Sequence, residues 1–157
     1  MARCSPSLEE IREMVAKQKT DAPVSPKNLV PVLQEVMADM ETPVSAYLKL
    51  SRGGTPSFLF ESVEGGEHLA RYSFIGFSPR SVVKTGQTKA TSKDPLVDVE
   101  KQLQGLRSFI IKGQPPFTGG AVGYVTYDCV KYFEPRTASK CQEQKDALHI
   151  PESIFMY

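Results

Sequence analysis

The sequence predicts an α+β fold built on a mainly antiparallel sheet with a few flanking helices. Three observations carry this. Strand-like and helix-like patterns do not alternate regularly along the chain. Several strand-like runs are joined by short loops, as antiparallel neighbours allow and parallel ones do not. No dinucleotide or P-loop signature is present: the glycines at 119, 120 and 123 do not form G-x-G-x-x-G, and no G-K-[ST] occurs. The 157 residues make one ordinary domain, and a composition 40 % hydrophobic and 24 % charged allows a packed core.

The elements follow in order. Ser5-Pro6 opens the first helix pattern, with Pro6 in its first turn. Ser7-x-x-Glu10 fits a capping box, and Leu8, Ile11, Met14 and Val15 share one helical face. "KTDAPVSPKN" reads as a loop, and "LVPVLQEVM" as a strand that Pro31 confines to an edge or a strand start. Thr42 and Pro43 cap and start a short helix, with Val44, Tyr47 and Leu48 on one face. "PSFLFES" and "ARYSFIGFS" are two strands joined through a loop at Gly65 and Gly66. "RSVVKTG" and "QTKAT" read as a further pair turned near Gly86. Asp94 caps and Pro95 starts a helix whose apolar stripe runs through Leu96, Val99, Leu103 and Leu106. "TGGAVGYVTYD" is a strand whose glycines mark a bulge or close backbone approach, and "CVKYFEP" forms a helical turn after Asp128. "RTASKCQEQKDALH" is a polar connector, and Ile154–Tyr157 begins another strand. No internal repeat occurs. The chain stops inside an apolar run, which reads as the front piece of a longer protein with strand groups left unpartnered.

Charge excludes some functions. Net charge is +1, from 19 basic and 18 acidic residues, with no basic face to bind nucleic acid. No apolar run approaches membrane-spanning length. The N-terminus lacks an apolar signal core and carries Glu9, Glu10 and Glu13, so the reading is cytoplasmic. Cys4, Cys129 and Cys141 are odd in number and form no C-x-x-C, consistent with free thiols. Glu64, Glu67 and His68 match no zinc spacing and fit a solvated turn. Asp128, Cys129 and His149 have no spacing that would make Cys129 an activated nucleophile.

Residues 58–76 are chemically richer. Strand alternation sends Phe58, Phe60 and Ser62 to one face and Leu59 and Glu61 to the other. Arg71, at the start of the returning strand, can approach Glu61 or Ser62. Two readings fit. One is an ordinary exposed ion pair at a hairpin mouth. The other is a polar rim on an apolar slot, with a carboxylate for a ligand ammonium and an arginine for its carboxylate. The second suits an amino acid with an apolar side chain.

Three blocks in order, "VLQEVMADMETPVSAYLKL", "FLFESVEGGEHLARYSFIG" and "TGGAVGYVTYDCVKYFEP", resemble the N-terminal region of anthranilate synthase component I, of the chorismate-utilising family. The resemblance runs from about Asn28 to Tyr157 and divides the chain into an N-terminal helix and loop (1–27) and a truncated regulatory domain (28–157). It implies an incomplete part of a larger two-sheet sandwich. The family converts chorismate to anthranilate and pyruvate, with ammonia from a glutamine amidotransferase partner and with magnesium, and L-tryptophan inhibits it. The resemblance implies an inhibitor site at Phe60, Glu61 and Ser62, with Arg71 joining it, and a reshaped indole slot where Phe60 replaces the usual leucine. It implies no catalytic or metal-binding residue in this segment, which alone would be inactive. The equivalent region of aminodeoxychorismate synthase and an unrelated β-rich binding module are the alternatives.

Overall fold

The computed structural model describes residues 4–21, 25–51, 53–61, 72–86, 93–115, 117–138 and 148–157. Their order is β1 (Cys4–Ser5), α1 (Leu8–Asp21), β2 (Leu33–Gln34), α2 (Pro43–Leu50), β3 (Ser57–Phe60), β4 (Phe74–Phe77) and β5 (Val82–Thr85), then α3 (Pro95–Leu103), β6 (Val122–Val125), α4 (Val130–Phe133), α5 (Pro135–Ala138) and β7 (Ser153–Met156). The sheets are small and antiparallel: β1–β2, β3–β4, and a three-stranded sheet ordered β5-β7-β6. The fold is the expected α+β, and the sheets among the described residues close no barrel.

Caps set the helix starts. In α1 the Ser7 amide donates to Glu10 Oε2 at 2.7 Å and the Glu10 amide to Ser7 Oγ at 3.3 Å, a reciprocal capping box. Pro6 therefore precedes the cap, outside the first turn where the sequence put it. In α2 the Ser45 amide donates to Thr42 Oγ1 at 3.1 Å, and Ser45 Oγ accepts from the Thr42 amide at 2.9 Å. Asp94 Oδ1 accepts from the Leu96 amide at 2.8 Å to open α3. That helix stops at Leu103, so Leu106 leaves the predicted stripe.

The run at 29–37 departs from expectation. Only Leu33 and Gln34 form a strand, paired with β1. Pro31 has no N–H to donate, and the chain before it turns to a different partner. Leu29 bridges Ser108 in parallel, and Asn28 clamps the junction: its Nδ2 donates to Gly105 O at 2.7 Å and its Oδ1 accepts from the Arg107 amide at 2.9 Å.

β5 pairs with β7, far along the chain. The QTKAT run expected beside it lies outside the described residues. β7 is bonded on both sides, with Val83 and Gly123 both opposite Phe155. The strand expected to lack partners is thus the centre of its sheet. Gly123 makes the close approach the sequence implied: a Cβ there would lie 1.9 Å from the Ile154 carbonyl oxygen. The start of the polar connector, 136–138, forms with Pro135 the single turn α5.

Among the described residues few side chains are fully buried: Pro95, Cys129, and Thr85 and Ser153, whose hydroxyls bond each other across β5 and β7 at 2.8 Å. Glu152 fastens the sheet end. Its carboxylate pairs with Lys131 Nζ and accepts from Tyr132 OH at 2.8 Å, while its carbonyl accepts from the Thr126 amide at 2.8 Å. Burial works against the Lys131 charge, but the Glu152 carboxylate and Tyr132 outweigh it and raise the pKa. The chain exposes 12726 Å². A compact monomer of 17.4 kDa would expose about 7900 Å².

Candidate functional site

The β3–β4 hairpin positions the site. Ser57 pairs with Phe77, Phe58 with Gly76, Leu59 with Ile75 and Phe60 with Phe74. Paired and alternate residues share a face, so Phe58, Phe60, Phe74 and Gly76 form one side. Their rings touch in sequence: Phe58 and Phe60 lie 4.9 Å apart between centroids, and Tyr72 and Phe74 6.1 Å apart. Phe117, from the loop before β6, meets Phe74 edge-on at 5.8 Å. The other side carries Ser57, and α2 packs there: Tyr47 OH lies 3.0 Å from Ser57 Oγ. Glu41 pairs with Lys49, and its Oε2 accepts from Ser45 Oγ at 2.7 Å; the Lys49 ammonium first, and then the Ser45 hydroxyl, lower the Glu41 pKa.

Of the four residues the sequence nominates, the described structure includes two. Phe60 ends β3, half exposed, with its ring against Phe58. Glu61 follows it and is exposed. Ser62 and Arg71 lie outside the described residues, as do the loop glycines and Glu64, Glu67 and His68. The predicted alternation holds at Phe58 and Phe60.

A cavity of about 380 Å³ opens at the other end of the hairpin, between its aromatic face and the sheet edge. Phe58, Phe74, Phe117, Gly119, Gly120 and Met156 are among its walls. Neither Phe60 nor Glu61 lines it, so the cavity and the polar mouth are separate features of one hairpin. Sequence reasoning missed this cavity. Its only signals were Gly119-Gly120, which leave room, and the alternating aromatics Phe58/Phe60 and Tyr72/Phe74.

Among the described residues no three His, Cys, Asp or Glu side chains gather to hold a metal. Cys129 is buried, and its thiol donates to the Glu152 carbonyl at 3.4 Å, a packing role without nucleophilic setting. No described helix is long and apolar enough to cross a membrane.

No protein-family profile matches the chain, and no solved structure matches it. Curated relatives do. The chain is 42 % identical over 150 residues to "Probable anthranilate synthase component 1" of Schizosaccharomyces pombe, covering 96 % of this chain and 28 % of the relative. It is 38 % identical over 159 residues to anthranilate synthase component 1 of Saccharomyces cerevisiae, covering 98 % and 30 %. The Synechocystis protein of that name is 36 % identical over 140 residues, covering 82 % and 27 %. The chain is therefore an α+β segment homologous to part of a longer protein, of whose length it spans about three-tenths. That longer protein is anthranilate synthase component 1.

Proposed function

We propose that the chain is the regulatory segment of an anthranilate synthase component 1 and forms one wall of its L-tryptophan inhibitor site. The observation that carries this reading is the hairpin. It ends in a half-exposed Phe60 followed by an exposed Glu61, in a chain closely related to that family. The full-length protein converts chorismate to anthranilate and pyruvate in tryptophan biosynthesis. A component 2 glutamine amidotransferase supplies ammonia. Magnesium and the catalytic groups are held outside this segment, which alone is inactive.

At the site, the aromatic face offers Phe60 to the indole. Glu61 and Ser62 take the ligand's ammonium, and Arg71 its carboxylate, through charge-assisted hydrogen bonds. Tryptophan bound between this hairpin and the rest of the protein favours an inactive arrangement. By linkage chorismate then weakens tryptophan by the same factor that tryptophan weakens chorismate.

The test is tryptophan inhibition of the full-length enzyme. Ser62→Leu is expected to turn over chorismate while its inhibition constant for tryptophan rises at least about tenfold, a loss of about 1.4 kcal/mol. Unchanged inhibition of that variant overturns the reading.

A further inference from the structure

We propose that Gly76 and Phe58 are positioning residues for the tryptophan slot: Gly76 fixes the Phe58 ring, and Phe58 fixes Phe60. This rests on the inhibitor-site reading and adds two residues that touch no ligand in it.

The register puts Gly76 opposite Phe58 on the aromatic face. A Cβ on Gly76 would lie 2.0 Å from Phe58 Cε1, 2.6 Å from Cζ and 2.7 Å from Cδ1. The ring therefore lies across the space a side chain would fill, an aromatic covering a cross-strand glycine. Ordinary carbon contacts need about 3.5–4.0 Å, so any side chain at 76 drives the ring off its seat. What gives way is the far end of one side chain, so the hairpin ladder can stay intact while the ring moves.

The ring next to it is Phe60, with centroids 4.9 Å apart and planes tilted 40°. Phe60 is 52 % exposed at the end of its strand, so surrounding burial does not hold it. Its cross-strand neighbour Phe74 is engaged edge-on by Phe117. The Phe58 contact is what orients Phe60 at the mouth, and a displaced Phe58 ring carries Phe60 with it. The relay runs Gly76 to Phe58 to Phe60.

The experiment uses a full-length chimaera in which this chain replaces the matching part of the Schizosaccharomyces pombe relative. Tryptophan inhibition, kcat and the KM for chorismate are read for Phe60→Ala, Gly76→Ala, Phe58→Leu and the Gly76→Ala/Phe58→Leu pair. Gly76→Ala is expected to raise the tryptophan inhibition constant about tenfold in the parent but less than about twofold in the Phe58→Leu background, the non-additivity of a shared contact. Its kcat and chorismate KM stay within about twofold, whereas a merely structural defect would lower kcat and leave the inhibition constant alone. Phe58→Leu by itself also weakens inhibition, which keeps the test decisive should Gly76→Ala fail to fold. If Phe60→Ala weakens inhibition but neither Gly76→Ala nor Phe58→Leu does, the relay is overturned and the inhibitor site stands. If Phe60→Ala has no effect, both fall.

Discussion

Glu152 shows how much a single side chain holds in this molecule. Its carboxylate is the partner of both Lys131 and Tyr132, and its main chain bonds Thr85 and Thr126. Lys131 and Glu152 side chains are only 27 % and 16 % exposed, so removing the acid leaves a partly buried ammonium without its counter-charge. Glu152→Ala is expected to cost about 2 kcal/mol, the worth of hydrogen bonds to a charged group, measured by denaturant unfolding of the full-length protein. This residue illustrates what sequence could not say. Glu152 looks like any polar residue before a strand. Its importance comes from contacts with residues 20 and 21 positions away, which no local pattern encodes. Phe58 and Phe60 were the reverse case, because strand alternation alone put them on one face.

At the scale of elements, the caps were the most legible feature, since a Ser, Thr or Asp and its amide lie within three residues of each other. Thr42→Ala should cost about 1 kcal/mol of α2 stability, visible as faster amide exchange in the first turn. Strand partners were the least legible. The pairing of β5 skips to a strand far along the chain, and the apolar run at 29–37 splits at Pro31 between two partners. The three-stranded sheet should also be alkali-sensitive. The Lys131 pKa is raised in the folded state, so its contribution is complete below the unfolded value of about 10.4 and fades as pH rises through the folded value. Burial, with the nearby Asp98 charge, raises the Tyr157 pKa, so above about pH 10 the unfolded phenol ionises first and draws the equilibrium the same way. A thermal melt followed across pH 8 to 11, roughly the span of these two groups, is expected to fall steadily above pH 10. A flat profile would remove both groups from the account.

For the whole molecule the decisive quantity is surface. The exposed area is far above that of a compact chain of this mass, and Met37, Met40 and Ile110 are 85 %, 95 % and 90 % exposed. Apolar area of this extent marks surfaces made to be covered. The isolated chain is therefore expected to bind a hydrophobic dye strongly and to self-associate in ultracentrifugation. The full-length chimaera should do neither. A monomeric isolated chain with a sharp cooperative melt would contradict this. The α+β class was readable from composition and order of patterns. The thinness of the core was not, because hydrophobic content counts apolar residues without saying which of them find neighbours.

The central place of β7 also sets a timetable for synthesis. Thr85 and Ser153, whose hydroxyls meet across β5 and β7, are 68 positions apart. A ribosome adding about 5–20 residues per second takes about 3–14 s to cover that interval. Throughout it β5 has left the tunnel without β7, its neighbour among the described residues, and β6 cannot substitute because β7 lies between them. The nascent chain thus carries open strand edges for seconds, long enough for a chaperone to act before the sheet closes.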